Sequence, residues 1–325
     1  MTPPDQLVGC LWGTALGDAL GLCREGLSRR RGQRLYPDLE HFQLFGGRGM
    51  ASDDTEHAAF TAWALAGQPD LLTFQRRLRR AFRRWIWCLP AGVGWATLRA
   101  GCKVSLGLAH SGVHSAGNGP LMRAPVLAVA GPQDSLVDYL DASTRLTHTD
   151  PRALEGARLV ARTTRYLLGQ LSWHQVIEST QDPFLLERLH EIGEYPHSTP
   201  EEYAAAQGWQ RGVTGFVQQT APVVVFAALR YRDDYRQAVQ SVIRCGGDTD
   251  TLAAIVGGMV GARLGPEALP SAWLQSYSDW PCTLDYLKSL ATSPRLLPLA
   301  GSLGRNLVFG WTILGYGLRR LFPPY

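Results

Sequence analysis

Apolar residues recur at three- and four-residue intervals along most of the chain, and no stretch alternates in twos long enough to make a sheet. Residues 6–22, QLVGCLWGTALGDALGL, have helical spacing and carry Gly9, Gly13, Gly17 and Gly21 on one stripe, which lets another helix approach closely. Further helical patterns run from about Ser52 to Ala66, over 70–88, from Trp95 to about Leu108, and from Arg123 onward. They continue over 134–147, 152–169, 172–180, 183–193 and 215–230, then from Leu252 to Gly261 and over 283–292. Pro222 marks the first turn or a kink of the helix over 215–230. The pattern predicts an all-α protein, with one compact domain of roughly a dozen helices over residues 1–294. Residues 295–325 form an apolar, basic C-terminal arm. Its run from Leu307 to Leu318 is too short to cross a bilayer. Interfacial membrane contact and packing on the domain are the two readings, and packing is preferred because chain ends are ordered by docking.

With 325 residues and 45% hydrophobic content, the chain can bury a substantial core. The net charge of +4 is modest, and many basic residues fall in two clusters, Arg29–Arg34 and Arg76–Arg84. A solvated helix face explains such clusters more simply than nucleic-acid binding does. Six scattered cysteines form no CxxC pair or zinc spacing, and the N-terminus lacks the basic and apolar regions of a signal peptide. Both features predict a cytoplasmic protein with free thiols.

The chemistry concentrates where glycine-rich turns deliver acids and hydroxyls to the start of an apolar helix. Gly246-Gly247-Asp248-Thr249-Asp250-Thr251 is one such place. A helix cap accounts for one of its acids, but two carboxylates at the mouth of a buried helix need a counter-charge. Ser52-Asp53-Asp54-Thr55-Glu56 is a second cluster of the same kind. Together they read as two halves of an oxygen-rich site for divalent cations. Asp18 reads as a helix-end acid, and Glu25 is an acid in a loop with no packing task. His110 and His114 lie in a Gly/Ser-rich loop and read as loop polar residues. His148 either meets a helix C-terminus or serves the site.

These motifs occur in an order that resembles the ADP-ribosylglycohydrolases, the family of the dinitrogenase reductase activating glycohydrolase and the ADP-ribosyl-acceptor hydrolases. The residues are Gly17-Asp18-Ala19-Leu20-Gly21 with Glu25, Ser52–Glu56, Gly117-Asn118-Gly119 with Met122-Arg123, Thr147-His148 and Gly246–Thr251, and the likeness spans about residues 6–292. The resemblance implies a metal-dependent hydrolase that cleaves the C1″ glycosidic bond of an ADP-ribosylated protein or small molecule, and the chain is expected to be a monomer. It implies two Mg²⁺ or Mn²⁺ ions held by Ser52, Asp53, Asp54, Asp248, Asp250 and Thr251. Glu25, with Asp54 and Asp248 among the metal-bound acids, would be catalytic. Gly117, Asn118, Gly119, Met122 and His148 would bind the ADP-ribose. Ser52 stands where Thr is common, and Gly92 where the dinitrogenase reductase enzyme has an acid. A binding module that recognises ADP-ribose without cutting and a binuclear-metal phosphohydrolase are the alternatives.

Overall fold

A computed structural model of the chain describes residues 2–193, 195 and 198–322. Among them the regular structure is helical, with isolated β-bridges but no strand. The first half contains α1 (Pro3–Gly21), α2 (Arg29–Leu35), α3 (Asp53–Leu65), α4 (Leu71–Ile86), α5 (Trp95–Ser105), α6 (Ala124–Ala130), α7 (Leu136–Thr147) and α8 (Pro151–Leu167). The second contains α9 (Trp173–Glu178), α10 (Pro183–Ile192), α11 (Pro200–Ala206), α12 (Val217–Arg230), α13 (Tyr235–Cys245), α14 (Thr249–Leu264), α15 (Ser271–Ser276), α16 (Leu284–Ser289) and α17 (Leu299–Arg319). The long periodic segments are helices as expected. Beyond the twelve segments read from the pattern, α2, α11, α13, α15 and α17 are also helical, and α17 extends the arm's apolar run in both directions. Pro222 sits inside α12 rather than in its first turn.

The core is organised on α1 and α14, which lie antiparallel and closer than side chains would allow. A Cβ added at Gly9, Gly13, Gly17 or Gly21 would stand 2.2, 2.2, 2.1 or 2.3 Å from the carbonyl oxygen of Gly261, Gly257, Ala253 or Thr249 respectively. The four-residue step of the stripe on α1 is thus matched by a four-residue step on α14, and the two backbones touch along four turns. Nearly all of α14, from Thr249 to Ala262, is buried. This contact fixes the end of α1 beside the start of α14, and with it the acids that each carries. Helices α3, α6, α8, α12 and α13 surround the pair. At the C-terminus, α17 docks through Gly301, Ser302, Arg305, Asn306 and Phe309, which are buried.

Candidate active site and metal centre

Because α1 and α14 meet backbone to backbone, Asp18 near the end of the first is held against Asp250 in the first turn of the second. Asp54, in the first turn of α3, completes the group: one carboxylate oxygen from each lies within 4.8 Å of the others, and all three residues are buried. Asp18 is not merely a helix-end acid. Its carboxylate accepts hydrogen bonds from the Ser52 N–H at 2.9 Å, the Thr55 N–H at 3.0 Å and the Thr55 hydroxyl at 2.6 Å, so it caps α3 from another helix. Asp54 Oδ2 accepts from the Thr251 hydroxyl at 3.1 Å and the Ser52 hydroxyl at 3.2 Å, which ties the two acid clusters together.

The remaining oxygens are not satisfied. Asp54 Oδ1 and Asp250 Oδ1 are buried and accept no hydrogen bond. Burial first, and then the neighbouring carboxylates, drive Asp53, Asp54 and Asp250 well above the ordinary carboxylate range. Burial also raises Asp18 to about 6, against the opposing Thr55 and Ser52 hydrogen bonds. Unpaired, like-charged, hard oxygens at this spacing fit a divalent cation, which would supply the missing partner.

Glu25 reaches the same place by a different route. It ends a 3₁₀ turn over Leu22–Arg24, and the chain after it is stitched to the Gly246-Gly247 turn. Gly26 N–H donates to the Gly247 carbonyl at 2.7 Å, and Gly247 N–H to the Leu27 carbonyl at 2.8 Å. On the other side of Gly247, Asp248 N–H donates to the Val213 carbonyl at 2.8 Å. Both glycines have positive φ, and a Cβ at Gly247 would stand 2.0 Å from the Val213 carbonyl oxygen. The space they free is therefore filled by the protein's own chain, and is not room for a ligand. Burial, followed by the charge of Asp248, raises Glu25 to about 7, with Arg320 pulling the other way. Thr249 turns away from the acids and donates to the Gly21 carbonyl at 2.8 Å, while Thr251 points at Asp54.

These groups open into a cleft of about 320 Å³. Glu25, Asp53, Asp248, Asp250 and Thr251 line it together with Gly117, Asn118, Gly119, Met122 and His148. Ser52 and Asp54 are buried. Asn118 Nδ2 donates to Asp248 Oδ2 at 2.7 Å and to the Thr220 hydroxyl at 3.1 Å, so the loop is joined to the acids. A Cβ at Gly117 or Gly119 would come 3.0 Å from the His148 ring, so the loop lies close against that imidazole. Burial and nearby Arg123 lower His148 to about 3, so it is neutral and is not a charge on a helix terminus. Beneath the loop, fully buried Arg123 donates to the Gly119 carbonyl, Ser143 and Thr147, with His57 Nδ1 at 2.8 Å. His110 and His114 are exposed and stand outside the cleft.

The start of α3 is also held from behind. Arg305 of α17 forms a two-pronged pair with Asp279, Nε to Oδ1 at 3.0 Å and Nη2 to Oδ2 at 2.8 Å. That pair grips both backbone groups of Ala51: Asp279 Oδ2 accepts its N–H at 3.2 Å, and Arg305 Nη2 donates to its carbonyl. The next residues are Ser52, Asp53 and Asp54. Breaking a buried pair of this kind costs about 3–5 kcal/mol. Asp279→Asn is expected to lower stability to urea on that scale and to weaken divalent-cation binding measured by calorimetry. Unchanged cation affinity would show that the pair does not position the acids.

The sequence model of the ADP-ribosylglycohydrolase family matches residues 1–303. The chain belongs to that family. An uncharacterized protein of Archaeoglobus fulgidus is 29% identical over 309 residues, covering 89% of this chain and 95% of its own. The ADP-ribosyl-[dinitrogen reductase] glycohydrolase of Rhodospirillum rubrum is 25% identical over 292 residues, covering 84% and 92%. Among solved structures, an ADP-ribosylglycohydrolase-related protein complex superposes with a TM-score of 0.67 at 25% identity, covering 89% of this chain and 96% of its own. As an ADP-ribosylglycohydrolase, the chain brings together in one cleft the acids and loop that its sequence singles out. Asp18, Arg123, Asp279 and Arg305 were not foreseen in this arrangement. Asp18 had one visible signal, an acid inside a glycine stripe at the end of an apolar helix.

Proposed function

We propose that the protein is a hydrolase that cleaves the bond between C1″ of an ADP-ribosyl group and its acceptor, releasing ADP-ribose. The observation that carries this reading is the pair of buried, unpartnered oxygens on Asp54 and Asp250, beside a cleft that Asp250 and Glu25 both line. Asp53, Asp54, Asp248 and Asp250, with the hydroxyls of Ser52 and Thr251, would hold two Mg²⁺ or Mn²⁺ ions. When bound, such ions offset the acids' charge, orient hydroxyl ligands and acidify water. Asp18 keeps the Ser52–Thr55 turn in place. Asn118, fixed between Thr220 and Asp248, and the loop lying on neutral His148 orient the sugar end of the substrate.

Cleavage passes through an oxocarbenium-like state. Water adds its oxygen to C1″, the C1″–acceptor bond breaks, and a proton goes to the acceptor. Glu25, with its carboxyl near 7, is suited to take a proton from the attacking water and return one to the leaving group. The segment Gly92–Thr97, which contributes Gly92, Gly94, Trp95, Ala96 and Thr97 to the cleft lining, carries no acid. A cationic acceptor such as arginine therefore finds no counter-charge there, and the reading favours a neutral, O-linked acceptor. A panel of arginine-linked, serine-linked, nucleic-acid-end and small O-linked ADP-ribose substrates, incubated with Mg²⁺ and scored for free ADP-ribose, tests this. Release from an O-linked member supports it, release from arginine alone removes the acceptor assignment, and tight ADP-ribose binding without release from any member overturns the hydrolase reading.

A further inference from the structure

The docked face of α17 accounts for only half of that helix. At 100° per residue, Leu299, Leu303, Leu307, Trp311, Leu314 and Leu318 fall within one strip about 120° wide, on the side away from buried Ser302, Arg305 and Phe309. All six are exposed, Trp311 by 75%. The other positions in the strip are Ala300, Gly310 and Gly317, so it carries no polar side chain. It runs the length of a 21-residue helix, about 31 Å. Single exposed apolar residues need no explanation, but a continuous strip of this size marks a surface that is covered.

The charge distribution says what covers it. Residues 71–133 contain nine Lys and Arg and residues 286–325 five more, with no Asp or Glu in either; the other 18 basic residues stand against all 28 acids. The two acid-free segments adjoin in the fold. Asn306 Nδ2 donates to the Cys88 carbonyl at 2.9 Å, and Arg84 Nη2 to the Leu297 carbonyl at 3.4 Å. Arg76, Arg80 and Arg83 lie exposed on one side of α4, at i, i+4 and i+7, and exposed Trp87 continues the line. Exposed Trp280 borders α17 at Gly301.

We propose that this face docks on an anionic lipid bilayer, with the outer strip of α17 in the interface and the arginines of α4 on the headgroups. An apolar helical strip with tryptophan beside a basic, acid-free surface is the composition that an anionic bilayer rewards. A second copy of the chain would bring like charges together, and a nucleic acid would find no polar group along the strip. The helix lies on the bilayer and does not span it. Arg305 and Asn306 hold its inner face to the domain. Among the described residues the one helical stretch long and apolar enough to span is residues 3–24, most of it buried in the core. Docking here sets the cleft at the bilayer surface, since Trp95 lines the cleft and Ala91, four residues before it, packs on α17.

Flotation of the full chain with vesicles tests the proposal. Vesicles of phosphatidylcholine with phosphatidylglycerol are expected to carry the protein, less as salt rises, and phosphatidylcholine alone to carry little. Leu314→Asp combined with Leu318→Asp alters exposed positions only, so the melting curve should hold while vesicle partitioning falls at least about tenfold. Arg80→Glu with Arg83→Glu is expected to weaken binding to the anionic vesicles alone. Failure of the wild type to float, or unchanged flotation of the Leu314/Leu318 variant, overturns the proposal. So does a dimer in gel filtration that this variant turns into monomer without any vesicle binding, which would assign the strip to a second copy.

Discussion

Replacing Asp250 with Asn is expected to abolish divalent-cation binding and turnover, yet to leave the cation-free protein more resistant to heat than the wild type. The two effects have one cause. In the cation-free protein Asp250 Oδ1 is buried, accepts no hydrogen bond and faces the carboxylates of Asp54 and Asp18, so its charge opposes folding. Asparagine removes that charge at nearly constant shape. The same change takes away a ligand, so the stabilisation that a cation gives the wild type, about 2.7 kcal/mol at a hundredfold excess over Kd, is lost. Turnover is expected to fall by more than the about 10²- to 10⁴-fold typical of a lost proton-transfer group.

The pH dependence carries the same sign. Asp18 has a folded value of about 6, raised above its ordinary 3.8, and Asp53, Asp54 and Asp250 are raised further. Groups raised in this way favour the folded state while protonated and oppose it as pH climbs through the folded value. The EDTA-treated wild type is therefore expected to melt higher at pH 5 than at pH 7.5, and Asp250→Asn to flatten the difference. Saturating Mg²⁺ or Mn²⁺ should raise the pH 7.5 melt. Thermal scans with and without EDTA read all of these effects, and an Asp250→Asn protein less stable than the wild type in EDTA would contradict the unpaired-charge account.

Glu25→Gln separates proton transfer from binding. Glu25 lines the cleft, on a turn fixed by its neighbours' backbone bonds to Gly247, so the substitution leaves the turn in place. ADP-ribose affinity and cation affinity should stay within a few-fold of the wild type, while kcat drops by about 10²- to 10⁴-fold. The limb of the kcat/KM profile that belongs to Glu25 should vanish with it. An unchanged kcat would remove Glu25 from the chemistry, and a lost affinity with kcat intact would make it a binding group.

What the sequence revealed and what it hid divide along physical lines. Local periodicity shows long helices, and a four-residue glycine step shows that some helix comes close; both are properties of neighbours in sequence. The partner of that stripe, α14, is more than two hundred residues away, and only the fold shows that their contact sets Asp18 against Asp250. The acid pairs at 53–54 and 248–250 were legible because two carboxylates beside glycines at a helix start exceed what a cap needs. Asp18 was not, because one acid near a helix end has an ordinary explanation until its hydrogen bonds to Ser52 and Thr55 are seen. The sequence also does not show that the backbones of Arg29 and Val213 fill the space beside Gly246 and Gly247. Arg305 and Asp279 were unreadable for the same reason. Their partner is the backbone of Ala51, and backbone groups leave no trace in a sequence.

In the proposed reaction this cleft uses a divalent cation to split ADP-ribose from an acceptor at C1″. Mass spectrometry of the products from an O-linked ADP-ribosylated substrate, with Mg²⁺ and again after EDTA, tests it most directly. The expected result is intact ADP-ribose and free acceptor with Mg²⁺, neither in EDTA, and recovery when Mg²⁺ is restored. Release that persists in full in EDTA, or AMP or inorganic phosphate in place of ADP-ribose, would contradict it.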